Sequence, residues 1–428
     1  MNFVNLAFGK EMLKFELPSE VKIQQIEAKK SQPITNIEES IRHVLAHPLG
    51  TAPLREVVNS GDKVVIIVSD ITRLWVRTDV FLPVLLDVLN EAGIPDQDIS
   101  IVTATGDHRL QSDEEHRTIC GAMVLARVPI YDHECQAQDL VDLGLSSRGT
   151  PIKVNRRVWE ADKVILTGGI AYHLLAGFGG GRKSIAPGVC GYEMIQKNHA
   201  LALAAAGTSG LHPNIKTGIM EGNPVSEDML EIARKVGVDF ILNVVVNEQK
   251  EFVYLAAGDL YEAHLAGCRV VEDIFGIEIA AKADVVFVSC GGYPKDIQLY
   301  QAIKALDNAS YAVKEGGVIV LLSECSDGIG SHPFEEFFKY GDVEEMSAKL
   351  HQDFIMPGFV SLRTASICRK TPVILISSLQ EDVVRGMGMH PASLPETAWQ
   401  MAAELLGRKP ELVYVMPYGG STFPIIRE

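Results

Sequence analysis

Four short polar clusters in this chain combine residue types that move protons and hold anions. Asp70-Ile71-Thr72-Arg73 joins a carboxylate, a hydroxyl and a guanidinium. Thr105-Gly106-Asp107-His108-Arg109 sets an imidazole on a glycine-containing turn. A long stretch from Gly168, GGIAYHLLAGFGGGRKSIAPGVCGYEMIQKNH, carries His173, Lys183 and His199. GGYPKDIQLYQAIK, from Gly291, carries Tyr300, Gln301 and Lys304. Histidine, with an ordinary pKa of about 6.5, gives and takes protons near neutrality. Arginine and lysine grip carboxylates. Gln301 and Lys304 are three apart and share a helix face. The residue types suit acid–base chemistry on a small anionic substrate.

Each cluster also has a purely structural reading. Asp70 and Arg73 would serve as a local ion pair or as a helix cap. The glycines would serve turns, and Lys304 would be a solvated charge. The loop Gly177-Phe178-Gly179-Gly180-Gly181-Arg182-Lys183-Ser184 approaches a phosphate-binding P-loop but has Arg182 where a glycine belongs. It does not fit a dinucleotide-binding G-x-G-x-x-G either. Its backbone N–H groups can still cradle a phosphate. His173 and His199 lie too far apart for a short metal-binding motif, and Cys190 reads as packing.

The elements that position these clusters alternate between strand and helix. Apolar runs at 63–69, 99–104 and 163–167 read as buried strands, with a helix over 79–91. Ser112-x-x-Glu115 is a capping box that opens a short helix, and another helix is expected near 192–203. The pattern restarts with helices at 262–271, 298–306 and 395–406 and strands at 283–289, 318–322 and 372–377. This predicts an α/β protein of two domains, each a mostly parallel sheet flanked by helices. Residues 1–265 are expected to form the first and 275–408 the second. Residues 409–428 are expected to return to the first domain. In such sheets ligands bind beyond the carboxyl ends of strands, so the four clusters would line one interdomain cleft.

Composition excludes several classes. The chain has 428 residues, 47% hydrophobic and 22% charged, enough for two or three ordinary globular cores. Lys plus Arg is 39 against 55 Asp plus Glu, a net charge of −16. This argues against nucleic-acid and anionic-membrane partners, which need a basic footprint. The start lacks the apolar core and cleavage site of a signal peptide, and no apolar run approaches a membrane span. The seven cysteines are scattered, with no CxxC pair, which fits a reducing cytoplasm.

SDITR, ATGDHR, HLLAGFGGGRKSIAPGVCGYE with the following NH, GGYPKD and YQAIK stand in one order along the chain. In that order they resemble the nickel-pincer-nucleotide-dependent lactate racemase family over most of the length. The resemblance implies an isomerase, a racemase or epimerase of lactate or a related 2-hydroxy carboxylate. It implies proton-coupled hydride transfer to a nickel-bearing cofactor, pyridinium-3,5-bisthiocarboxylic acid mononucleotide, tethered to Lys183 through a thioamide. By the same resemblance His199 ligates nickel, and His108 and His173 are the catalytic bases for the two enantiomers. Asp70, Thr72 and Arg73 contact the cofactor, while Arg73, Tyr300, Gln301 and Lys304 hold the substrate. The implied partners are the small hydroxy acid and the proteins that make the cofactor and insert nickel. Leu74, Leu110, Asp107 and the pair Leu174-Leu175 depart from the family pattern, so lactate and other 2-hydroxy acids both remain candidates. Two other readings stay open: an NAD-dependent 2-hydroxy acid oxidoreductase, and a non-catalytic nucleotide-binding protein.

Overall fold

The computed structural model describes residues 2–205 and 207–426. The chain divides into two compact units. One comprises Lys30–Ala202 and Asn214–Glu272, the other Met1–Lys29, Leu203–Pro213 and Asp273–Glu428.

The unit built from Lys30–Ala202 and Asn214–Glu272 has a six-stranded sheet. Its order is Phe252–Gly258, Phe240–Val246, Lys163–Gly169, Val64–Ser69, Ile99–Ala104 and Ile130–Asp132. All neighbours are parallel except the first pair. Val64, Val65, Ile66, Ile67 and Val68 are each at most 1% exposed, as expected for strands covered on both faces. Helix Thr78–Glu91 buries Phe81, Leu82, Leu85, Leu86 and Leu89 in the same core. Ser112 Oγ accepts a hydrogen bond from the Glu115 N–H, and the Ser112 N–H donates one to the Glu115 carboxylate. The expected capping box is therefore formed. Strand order reverses between Val64–Ser69 and Lys163–Gly169, a switch point whose carboxyl ends carry Asp70–Arg73 and the glycine-rich segment.

The second unit has a fully parallel sheet. Its order is His390–Ala392, Val373–Ile376, Val313–Leu322, Ala283–Ser289, Leu412–Met416 and Lys22–Gln25. Two expectations are corrected here. Residues 1–29 do not belong with the first domain. The hairpin of Asn2–Phe8 and Glu11–Leu17 packs Val4, Leu6, Phe15 and Leu17 into the second unit's core, and Lys22–Gln25 extends its sheet. The last segment does not return to the first domain either. Leu412–Met416, an apolar run, is buried between Ala283–Ser289 and Lys22–Gln25. The helix at Tyr192–Ala200 ends before residue 203, because Leu203 leaves to form a bridge with Leu211. Both lie in the Leu203–Pro213 segment, which packs Leu203 and Leu211 against Phe337, Met346 and Leu362 of the second unit.

Candidate active site

Asp70 leaves the end of strand Val64–Ser69 and is only 4% exposed. Its Oδ2 faces His108 Nδ1 at 2.5 Å. Its Oδ1 accepts from Thr72 Oγ1 at 2.6 Å, and Thr72 Oγ1 accepts from Arg73 Nη1 at 2.7 Å. Asp70 makes no side-chain capping bond to the 3-10 turn Ile71–Val76. Arg73 reaches it through the Thr72 hydroxyl, so neither structural reading of this cluster describes it. Burial pushes the Asp70 carboxyl up, but the His108 and Thr72 hydrogen bonds outweigh it and hold the group below its ordinary value. The same hydrogen bond raises His108 above its ordinary value, against a smaller penalty for burial. His108 stands on a tight turn, its N–H donating to Thr105 O at 2.9 Å. Gly106 in that turn has φ +57 and donates its N–H to Gly188 O, which ties the turn to the glycine-rich segment. Arg109 points elsewhere, pairing with Glu115.

Lys183 lies on the short 3-10 turn Gly181–Ser184. Burial, then the charges of Arg182 and Arg73, lower its amine to about 7. Arg182 is itself 3% exposed and lowered by burial to about 10. Its guanidinium is held by neutral acceptors, Ala176 O and Ser226 Oγ at 2.8 Å and Ser226 O at 3.3 Å. The loop's course requires glycine at Gly177: φ is +75, and a Cβ there would lie 2.2 Å from the Ile219 carbonyl oxygen. Gly181 N–H donates to Asn243 Oδ1 at 2.6 Å. The Asn243 Nδ2, also buried, has no hydrogen-bond partner among the described residues. His199, on helix Tyr192–Ala200, donates from Nδ1 to Ile195 O at 2.6 Å. Burial and the Lys183 charge push it down to about 4.

His173 ends the two-residue strand Tyr172–His173, paired antiparallel with Gly177–Phe178. Its Nδ1 accepts from the backbone N–H of Leu175 and of Ala176, each at 3.2 Å. In the second unit, Tyr300, Gln301 and Lys304 lie on helix Leu299–Ser310, which follows strand Ala283–Ser289. Lys304 Nζ donates to Gln301 Oε1 at 2.8 Å, so the predicted shared face is real. The Tyr300 ring meets Phe334 edge-on, with centroids 5.5 Å apart. His212 falls in the Leu203–Pro213 segment of this second unit.

Hydrogen bonds thus gather Asp70, Thr72, Arg73 and His108, and electrostatic proximity gathers Lys183, Arg182, Arg73 and His199. Three supporting residues were not legible in the sequence. Arg182 reads there only as a departure from a P-loop. Asn243 and His264, which fix the loop through Gly181 N–H and Gly179 O, are distant in the chain and carry no local signal.

A family model described as the lactate racemase N-terminal domain matches residues 8–210, and one described as the C-terminal domain matches 279–423. A lactate racemase of Thermoanaerobacterium thermosaccharolyticum is 33% identical over 435 residues, covering 99% of both chains. One from Lactiplantibacillus plantarum is 32% identical over 391 residues, covering 89% of each. The solved structure of the lactate racemase apoprotein from T. thermosaccharolyticum superposes with a TM-score of 0.88, at 32% identity and over the full length of both chains. A crystal structure of a Thermotoga maritima protein, 20% identical with a TM-score of 0.66, shares the fold. On the strength of both family models and two relatives aligned over nearly the whole chain, the protein belongs to the lactate racemase family and is an isomerase, a racemase.

Proposed function

We propose that the protein racemises or epimerises a 2-hydroxy carboxylate, with lactate the first candidate because both curated relatives are lactate racemases. The observation that carries the reading is the set of groups at one sheet's switch point: a His–Asp pair, a half-buried lysine whose amine is lowered to about 7, and a buried histidine lowered to about 4. Inverting the carbon means removing the hydrogen on C2 and returning one to the opposite face. The α-proton beside a carboxylate is too weakly acidic for simple abstraction, so the hydroxyl proton must leave while the hydrogen departs with its electrons.

We further propose a nickel-pincer nucleotide as the resident cofactor. The residues fit such a group. A neutral amine at Lys183 can be acylated. The His199 ring, fixed through Nδ1–H, has the tautomer that leaves Nε2 to coordinate a metal. The orphaned Asn243 Nδ2, beside the glycine loop that its Oδ1 holds, provides a donor for an anionic group. When bound, the cofactor supplies an electron-poor acceptor for the hydrogen leaving C2.

The protein's own residues do the rest. His108, oriented by Asp70, takes the proton of the 2-hydroxyl from one enantiomer, and His173 serves the other. Such acid–base assistance is worth roughly 10²–10⁴-fold. Arg73, linked to Asp70 through the Thr72 hydroxyl, holds the carboxylate, so the planar keto acid stays bound while it presents either face.

The test uses protein produced together with the cofactor-synthesis proteins. Intact mass should show an adduct lost in Lys183→Arg, nickel should be present in stoichiometric amount, and chiral analysis should show interconversion of D- and L-lactate or of another 2-hydroxy acid. Fully loaded protein that leaves a panel of chiral 2-hydroxy acids unchanged would refute the reading.

A further inference from the structure

The two histidines are held in opposite ways. Asp70 offers His108 Nδ1 only an acceptor, so that nitrogen carries a proton. His173 Nδ1 meets two backbone donors, the N–H groups of Leu175 and Ala176. A ring nitrogen that accepts N–H hydrogen bonds must keep its lone pair, so the proton of the neutral His173 ring sits on Nε2. The surrounding structure fixes this turn. Leu175 and Ala176 are fully buried. The Leu175 carbonyl accepts from Asn223 Nδ2 at 3.0 Å and the Ala176 carbonyl from Arg182 Nη2 at 2.8 Å. The next residue, Gly177, is pressed against the Ile219 backbone and pairs back to His173.

We propose that residues 174–176 form a tautomer lock. The turn holds His173 as a neutral ring protonated on Nε2, and the ionisable proton of the resting site resides on the His108–Asp70 pair. A second proton on His173 Nδ1 would face two N–H donors, so the imidazolium is disfavoured while the turn bonds persist. A neutral ring with its proton on Nε2 donates a hydrogen bond. Releasing that proton without gaining one on Nδ1 would leave an imidazolate, and the turn supplies no proton to Nδ1. His173 therefore becomes a base only when its ring turns about the Cβ–Cγ bond and gives up both backbone bonds. Arg182 and Asn223, which grip the turn's carbonyls, act here as positioning residues. The inference rests on the proposed part of His173 in proton transfer, but its test is separate from any activity.

The experiment is long-range ¹H–¹⁵N correlation spectroscopy on full-length protein carrying ¹⁵N-labelled histidine and no cofactor, from pH 6 to pH 9. Spectra of His173→Asn and His108→Gln assign the two rings. The lock predicts an unprotonated Nδ1 and a protonated Nε2 for His173 across this range. For His108 it predicts a protonated Nδ1 and a titration midpoint above 6.5. A His173 ring protonated on Nδ1, exchanging between tautomers, or charged at pH 6 would overturn the proposal. A wild-type protein that failed to racemise any hydroxy acid would sink the functional reading and leave this result standing.

Discussion

At the residue scale the site depends on one carboxylate. Asp70 is buried, yet its two oxygens are both used, one by His108 and one by Thr72. Replacing it as Asp70→Asn keeps the shape and removes the charge. His108 then loses the partner that raises it. The acid limb of the kcat/KM profile, where His108 becomes protonated and useless as a base, should move to lower pH. The plateau should fall by roughly 10²-fold or more, within the range of acid–base assistance. A pH–rate profile of the loaded variant checks both. The same pair also contributes to folding. His108 is raised in the folded state, so its contribution is present below the unfolded value of 6.5 and lost as pH rises through the folded value. Asp70 is lowered, so its contribution is present above 3.8 and lost as pH falls through the folded value. The Tm difference between wild type and Asp70→Asn should therefore be largest between these two values and shrink above pH 7. A constant difference across pH 4–9 would contradict the assignment. This cluster was legible in the sequence as a set of residue types. Its wiring was not, because the partner of Asp70 lies on the neighbouring strand's loop, and parallel register brings the two together.

At the scale of elements, what the sequence revealed followed from local chemistry. Strand Ile99–Ala104 and helix Pro395–Leu406 stand where periodicity placed them, and the Ser112–Glu115 box forms because both of its bonds lie within one turn. The glycine-rich segment was harder. Its shape comes from distant groups: Asn243 from a neighbouring strand, Arg182 turned inward onto Ser226, and the Ile219 backbone crowding Gly177. This makes Gly177 the sharpest test of the segment. In Gly177→Ala the new Cβ has a backbone oxygen to displace and a positive φ to tolerate. Strain of that kind costs about 1–3 kcal/mol. The variant should show a lowered denaturation midpoint. It should also lose covalent loading at Lys183 by intact mass, since the strand pair holding His173 and the turn holding Lys183 both continue from this residue. Normal stability with full loading would mean that the segment is far softer than its contacts imply.

At the scale of the whole molecule, the parallel α/β architecture was readable because buried strands appear as uninterrupted apolar runs. Which unit owns the amino terminus was not readable. Strand Lys22–Gln25 is short and polar, and its one sheet neighbour among the described residues, Leu412–Met416, lies near the other end of the chain. Long-range pairing leaves no periodic trace in either segment. The energetic consequence is large. Val4, Leu6, Phe15 and Leu17 are each at most 3% exposed in the second unit's core. Burying one such side chain is worth roughly 1.5–3 kcal/mol, so the four together supply about 6–12 kcal/mol. That is comparable with the whole stability of a typical domain, about 5–15 kcal/mol. Removing residues 1–29 should therefore unfold the second unit while the unit built from Lys30–Ala202 and Asn214–Glu272 keeps its own core. Hydrogen exchange followed by mass spectrometry separates these outcomes. Protection should collapse over Ala283–Ser289, Val313–Leu322 and Leu412–Met416, and persist over Val64–Ser69, Ile99–Ala104 and Lys163–Gly169. Supplying residues 1–29 as a separate peptide should restore protection, because the second unit refolds around the hairpin and strand and regains the burial that truncation removed. Full protection of the second sheet in the truncated protein would show that those four side chains contribute much less than their burial indicates.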